Sequence, residues 1–270
     1  MQGDCGHLFD FGGLSDGAHG LDLPGARRAF VKIRHHAPAG FFEAEARGLA
    51  ALANTGALRV PEVLEVSDEG IALEDLGSGD PAPGDWERAG AGVAALHRRA
   101  ASRFGFEAPG WCGDSKQDNT WDDDGFRFFA EYRLLPQGRR ALDAGRIERD
   151  DMSRIESVCK HLRELLPERP AVLIHGDLWL GNLHACAHGE LALIDGGAAH
   201  YGWAESDLAM LTLFGTPPGA FFSAYESSAG TDAAWRKRAP LLNLHHLLNH
   251  LNLFGAGYLG AIRNVLKHHA

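Results

Sequence analysis

The stretch HGDLWLGN, His175 to Asn182, sets a histidine, an aspartate and an asparagine at fixed spacing, and the apolar run LALID closes thirteen residues later on Asp195. Asp177 and Asn182 stand five apart, the H-x-D-x-x-x-x-N spacing of a phosphoryl-transfer loop, and a second acid follows at the end of a short strand. That chemistry needs a carboxylate to accept the proton of an attacking hydroxyl. It also needs oxygen ligands on separate elements, because magnesium takes near-octahedral oxygen geometry and keeps some of its waters. Asp177 is thus the candidate base, and Asn182 and Asp195 are the candidate magnesium ligands. The competing reading is a polar turn between two strands.

Two further charges suit the same chemistry. RRAFVKIRHH reads as a strand centred on Phe30, Val31 and Ile33 with Lys32 inside it. A lysine there is ordinarily an edge or snorkelling residue. The segment GFFEAEARGLAALANTG then reads as a helix, with Phe42, Ala46, Leu49 and Leu52 on one face and Gly56 just past its end. It carries Glu43 and Glu45 in its first turns, and a strand lysine paired with a helix glutamate positions nucleotide phosphates. Upstream, LFDFGGLSDGAHGLDL carries Gly12, Gly13, Gly17 and Gly20 between short alternating segments, which suits a hairpin with a glycine-bearing turn, a candidate cover for phosphates although it is not G-x-G-x-x-G.

The elements that must position these groups follow in order. RVPEVLEVSDEGIALEDL gives two strands with a turn at Ser67–Gly70, and a Gly/Pro/Asp-rich linker follows at Leu76–Pro83. Helices are expected over 86–101, over GFRFFAEYRLLPQGRRAL and over SRIESVCKHLRELL, with WCGDSKQDNTWDDDG as a polar loop between the first two. AVLIHGD opens the catalytic segment as strand and turn, and helices follow Asp195. The pattern is a strand-rich N-terminal part with one helix, then a helix-rich part containing a short hairpin.

With 270 residues, 45% hydrophobic and 23% charged, the chain suits two lobes sharing a cleft. A net charge of -10 does not suit nucleic acid or an anionic membrane surface. No apolar run is long enough to span a bilayer, and MQGDCGHLFD lacks the order of a signal peptide, so a cytoplasmic protein is expected. Cys5, Cys112, Cys159 and Cys186 form no C-x-x-C, which argues against a zinc knuckle or a disulfide framework and fits a reducing compartment. His246 and His250 stand at i and i+4 on an expected helix but lack the Glu of H-E-x-x-H, so core histidines are the stronger reading.

Taken together, FVKI, FFEAEARGLAALANTGALRVPEVL, VAALH, GDSKQDNTW, FFAEYRL, LIHGDLWLGNLH, YGWAESDLAMLTLFG, FFSAYES and LLNLHHLLNHLNLFGAGYL resemble the fructosamine (ketosamine) kinases. These belong to the aminoglycoside- and choline-kinase-like phosphotransferases. The resemblance runs from about Phe11 to Tyr258. HGDxxxxN is shared by the whole superfamily, whereas HGDLWxGN, YGxxExDLAM and LLNHLNLFG are narrower. It implies an α+β, two-lobed, protein-kinase-like fold, with a small antiparallel-sheet N-lobe holding one main helix and a larger, mostly helical C-lobe. The lobes would be residues 1–78, binding ATP, and 79–270, carrying catalysis and substrate binding. Lys32 matches the phosphate-binding lysine, with Glu45 as its partner and Glu43 as the alternate. Glu74, Asp75 and Leu76 match the adenine-binding hinge. Asp177 matches the base, and Asn182 and Asp195 match the Mg2+ ligands. His175 would orient the catalytic loop and Asp207 would hold it by backbone hydrogen bonds. Trp179 is the candidate substrate contact, set against an aromatic packed under the loop.

Two departures stand out. Gly196-Gly197 replaces the family's Pro-Ala after the metal-binding acid, which is expected to loosen that turn and keep the carboxylate. The glycine turn also lacks the cysteine that allows redox control in some members, and Cys5 lies before it.

The expectation is an ATP- and Mg2+-dependent kinase that phosphorylates a sugar hydroxyl of a ketosamine, by resemblance O3. The acceptor would be a small glycated amine or a glycated protein lysine. The product phosphoester eliminates and frees the amine, which makes the role deglycation. A monomer is expected. The alternatives are a kinase for an aminoglycoside or choline, and a non-catalytic kinase-like binding module. Asp122–Asp124 could meet a cationic amine, although solvated surface acids are the simpler reading.

Overall fold

The computed structural model describes residues 9, 11–24 and 27–270. Alternation of exposed and buried residues makes β1 (Gly17–Leu23) and β2 (Arg27–Ile33) a half-buried antiparallel pair. Ala29, Val31 and Ile33 point to one face, where they pack with Phe9, Phe11 and Ala72. Phe30 and Lys32 therefore point to the other, because successive strand side chains alternate. With β3 (Val63–Val66) and β4 (Gly70–Glu74) these strands form a sheet of order β1-β2-β4-β3, all antiparallel.

Between β2 and β3 lies α1 (Phe41–Ala53), which begins after Gly40 at φ 80°. It buries Phe42, Leu49 and Leu52 in the main core. Each contributes about 1.5–3 kcal/mol relative to leaving it exposed.

The rest is mostly helical. In order come α2 (Pro83–Leu96), β5 (Ala100–Ala101), β6 (Gly110–Cys112), β7 (Ser115–Gln117), α3 (Gly125–Phe129), α4 (Leu135–Asp143) and α5 (Arg149–Leu165). β8 (Ala171–Ile174), β9 (Leu183–Ala185), β10 (Leu191–Leu193) and β11 (His200–Gly202) follow. The described chain closes with α6 (Ala204–Met210), α7 (Gly219–Ala229), α8 (Trp235–Leu242), α9 (Leu244–Phe254) and α10 (Leu259–His269). β9 and β10 form a hairpin, and β8 is central in the sheet β11-β8-β5. All four β8 residues are buried, which fixes the loop that leaves its end. Among the described residues, no helix is long and apolar enough to cross a membrane.

Several expectations need correction. Phe11–Gly13 is a single 3-10 turn preceding β1, and the β1–β2 connection is at 24–26, so Gly12 and Gly13 do not form a hairpin turn between described strands. The helix expected over 86–101 runs over Pro83–Leu96, and Ala100–Ala101 pairs with β8. The supposed polar loop at 111–125 contains the β6–β7 hairpin. The single helix expected over 125–142 passes through a π turn at Ala130–Leu134, which turns Arg133 into the core. Asp122–Asp124 are not free acids, although Asp123 is exposed to solvent. Asp122 is buried against Arg127, Asp123 pairs with Arg103 at 2.7 Å, and Asp124 caps α3 and pairs with Arg163. Cys5 lies outside the described residues, while Cys112, Cys159 and Cys186 are free thiols.

Candidate active site

Lys32 is the meeting point of the two parts of the chain. Its Nζ lies 2.6 Å from Glu45 Oε1 and 3.3 Å from Asp195 Oδ1. Burial opposes the lysine's charge, but the Glu45 and Asp195 carboxylates outweigh it and raise its pKa. Burial likewise pushes Glu45 up while Lys32 pulls it down. Glu43 is not among the partners of Lys32, and its Oε2 is buried with no partner among the described residues.

Asp195 sits in the left-handed region, φ 64° and ψ 58°, and its side chain is half exposed. The following turn, Gly196–Ala198, lies directly against α1. A Cβ on Gly48 would fall 1.8 Å from the Gly196 carbonyl oxygen, and a Cβ on Gly196 would fall 2.6 Å from Leu49 N. Gly196 is therefore packed against α1 in this turn. It lets α1 approach closer than any side chain allows, which bears on how Glu45 and Asp195 reach one lysine.

The loop after β8 is fixed from below. The His175 N–H donates to Asp207 Oδ2 at 2.8 Å and the Gly176 N–H to Asp207 Oδ1 at 2.9 Å. His97 Nε2 meets Asp207 at 3.2 Å, and Tyr225 OH meets His97 Nδ1 at 2.8 Å. Burial alone would raise the Asp207 carboxyl, but His97 and the backbone N–H of His175 hold it below its ordinary value. His175 is fully buried, with Nε2 2.8 Å from the Ile194 carbonyl, so the loop is tied to the strand that delivers Asp195. Asn182 is buried and donates Nδ2–H to the Asp177 carbonyl at 2.8 Å, which leaves its amide oxygen free to serve as a ligand. Asp177, Asn182, Asp195 and Lys32 are thus brought together. Burial pushes the Asp177 carboxyl up to about 6, and the Asp195 and Asp207 carboxylates add to this against an opposing effect of His175.

Two pockets flank this cluster. One, of about 160 Å³, is lined by Phe30, Lys32, Leu73, Glu74, Asp75, Leu76 and Ile194. The Asp75 N–H is bonded to Arg28 O and the Leu76 carbonyl to Ala187 N–H, while the Leu76 N–H has no partner among the described residues. Gly13 is not among the described residues that line this pocket. The other, of about 420 Å³, is lined by Cys112, Asp177, Trp179, Asn249, His250, Phe214, Phe254 and Tyr258. Trp179 is 39% exposed, and its ring folds over Gly181, where a Cβ would lie 2.3 Å from it. It is a wall of the pocket and is not packed under the loop.

Comparison with known proteins accords with this geometry. The family model for fructosamine kinase matches residues 12–269. A probable ketoamine kinase from Synechocystis sp. is 38% identical over 91% of this chain and 84% of its own length. The chloroplastic protein-ribulosamine 3-kinase of Arabidopsis thaliana is 31% identical over 88% and 74%. A candidate fructosamine-3-kinase from Thermobifida fusca YX-ER1 has a solved structure that superposes with a TM-score of 0.87 at 37% identity, covering 93% of this chain and 88% of that one. The complex of APH(2'')-IIa with streptomycin and ATP, at 12% identity and a TM-score of 0.59 over 93% and 91%, shares the fold alone. The fold and site define a protein-kinase-like phosphotransferase, with a small sheet lobe and a larger helical lobe. Within that class the chain belongs to the fructosamine kinase family and is an ATP-dependent phosphotransferase.

Sequence reasoning missed His97, Tyr225, Gly48 and Cys112 near the site, and it read His246 as a core histidine. VAALH and FFSAYES contain the first two, but only the fold shows that both converge on Asp207.

Proposed function

We propose that this protein phosphorylates a sugar hydroxyl, O3 by analogy with its named relatives, of ketosamines such as ribulosamine or fructosamine. The phosphoester then eliminates and frees the amine, so the enzyme reverses glycation. The observation that carries this reading is the position of Asp177, held by Asn182 between a lysine-bearing nucleotide pocket and an aromatic-walled acceptor pocket. Adenine lies between Phe30 and Ile194, with the Leu76 N–H as a backbone donor. Lys32, aligned by Glu45, meets the phosphates. Asp177 aligns the acceptor hydroxyl and takes its proton. Its burial-raised pKa suits that task, because general bases work best with a pKa near the operating pH.

Asn182 and Asp195 offer an amide oxygen and a carboxylate, the hard donor set that suits magnesium, and they would hold it. Bound there, magnesium neutralises charge on the transferring phosphoryl group. Trp179, Phe214, Phe254 and Tyr258 line the pocket beside the base, and aromatic rings suit a sugar C–H face and a cationic amine. The free thiols fit a cytoplasmic setting, in which glycated lysines and free amines are the expected acceptors.

The test is steady-state ATP consumption with a ribulosamine, a fructosamine, kanamycin and choline, for the wild type and Trp179→Ala. The reading expects both ketosamines to lead. Trp179→Ala should lose ketosamine kcat/KM at unchanged ATP affinity. Faster turnover of kanamycin or choline would overturn the substrate assignment.

A further inference from the structure

Beside the base lie two side chains that phosphoryl transfer does not use, and with the base they form a cluster. Cys112 at the end of β6, His246 on α9 and Asp177 bring a thiol, an imidazole nitrogen and a carboxylate oxygen within 4.8 Å of one another. Cys112 and His246 are buried. His246 Nδ1 has no hydrogen-bond partner among the described residues and points at Asp177, 4.0 Å from its Oδ1. An imidazole nitrogen buried without a partner is the kind of group that calls for a missing ligand. Asn249 donates an N–H to Cys112 Sγ at 3.3 Å, the outer support that orients a metal-binding sulfur.

We propose that Cys112, Asp177 and His246 form a site for a thiophilic divalent cation, Zn2+ by ligand type, and that filling it switches the kinase off by occupying its base. For the effect on turnover this rests on the reading of Asp177 as the base, but the binding itself does not. The donor set is one sulfur, one nitrogen and one oxygen. That set favours zinc, whereas magnesium seeks oxygen, so the site is chemically distinct from Asn182 and Asp195. Zinc bonds of about 2.0–2.3 Å require the three ligand atoms to close in by roughly 1 Å, a rotamer-scale adjustment.

Cys112 and Asp177 both face the acceptor pocket, so the fourth position of a tetrahedral ion opens there for water or a substrate oxygen. Burial keeps His246 neutral, with a pKa lowered to about 3, which is its ligating form. Burial also pushes the Cys112 thiol well up, so the cation must displace its proton. The S–H bond breaks, the S–metal bond forms and the proton goes to solvent. Thiolate and carboxylate then match the charge of the dication. The opposing charge nearby is Arg133, held by the Asp118 carbonyl and Asn119 Oδ1 and stacked on Phe128.

The experiment uses the full chain stripped of metal. Titration with Co2+ should give a near-ultraviolet sulfur-to-cobalt charge-transfer band that saturates at one ion per chain. Cys112→Ser should lose the band, and His246→Gln should bind at least tenfold more weakly. With ketosamine and MgATP, Zn2+ should inhibit at least tenfold. A zinc-selective chelator should reverse the inhibition and added Mg2+ should not. Each variant is compared with its own zinc-free rate, and Cys112→Ser should be at least tenfold less sensitive. Should no acceptor be turned over, the cobalt titration decides the site alone. A spectrum without the sulfur band, a band unchanged in both variants, or inhibition relieved by Mg2+ would each overturn the proposal.

Discussion

Gly48→Ala is the sharpest probe of how the two lobes share the site. The new methyl would sit 1.8 Å from the Gly196 carbonyl oxygen, whereas ordinary contact begins at 3.4 Å. About 1.6 Å must therefore be found, and backbone lies on both sides. If α1 retreats, it carries Glu45 with it, and the 2.6 Å contact to Lys32 opens beyond hydrogen-bond reach. If the Gly196 turn retreats, it carries Asp195, already 3.3 Å from Lys32. Either outlet ends at Lys32, the lysine proposed to meet the phosphates.

The energetics oppose one another. Overpacking costs typically 1–3 kcal/mol. Replacing a helical glycine by alanine returns about 1 kcal/mol. The expected net loss is roughly 0–2 kcal/mol, a fall of at most several degrees in Tm. The functional loss should be larger than this implies, because ion-pair geometry is altered directly. Differential scanning fluorimetry and KM for ATP, measured together, test it. We expect a small Tm decrease with ATP KM raised several-fold or more. A rise in Tm with unchanged KM would show that helix propensity dominates and that the glycine contact does not position the ion pair.

Three further outcomes follow from the same geometry. Asp177→Asn should cost about 10²–10⁴ in turnover with ATP affinity kept, and retention of more than a third of wild-type activity would remove it as base. With Asp177 held up to about 6, kcat/KM should fall on an acid limb near pH 6; a profile flat down to pH 5 would contradict this. For stability, the folded value lies above the ordinary ~3.9, so the native state binds more protons between the two, and stability falls as pH rises through that window. The fall is up to about 3 kcal/mol and should flatten in Asp177→Asn, as denaturant melts at pH 4.5 and 7 would show. Asp195→Ala should weaken magnesium-dependent nucleotide affinity more than Asn182→Ala, because it removes a full charge from a hard cation. Magnesium titrations of both variants check that order, and equal losses would reverse the assignment.

The chain order of the fold and the residues that cluster at the candidate site were largely legible, because both rest on local signals. Strand alternation around Lys32, the periodic face of α1 and the HGDLWLGN spacing are written within short windows. What was not legible depends on contacts between distant residues. Nothing near Asp122 tells whether it meets solvent or Arg127. Gly48 looks like a weak point in a helix until the turn after Asp195 is packed on it. His246 pairs in sequence with His250, but in space it faces Asp177 and Cys112. The glycine-rich start misled for another reason: glycine marks a turn but not which strands the turn joins.

The charge pattern explains why this site is poised rather than settled. Glu45, Asp177, Asp195 and Asp207 lie around one small volume. Asp207 is satisfied by His97 and two backbone N–H groups, and Glu45 by Lys32. Asp195 shares that same lysine, half exposed. Among the described residues, Asp177 has no cation within ion-pair reach except the edge of a His246 ring that burial keeps neutral. Two carboxylates are thus left under-compensated on the side where a nucleotide and an acceptor would enter. Repulsion and burial raise Asp177, and the same imbalance favours whatever cation arrives. At Asn182 and Asp195 the donors are oxygens, and a hard ion fits. At Cys112 and His246 they are sulfur and nitrogen, and a soft one fits. One surplus of negative charge therefore accounts for both the proposed reaction and its proposed inhibition, and the two are separable because the donor atoms differ.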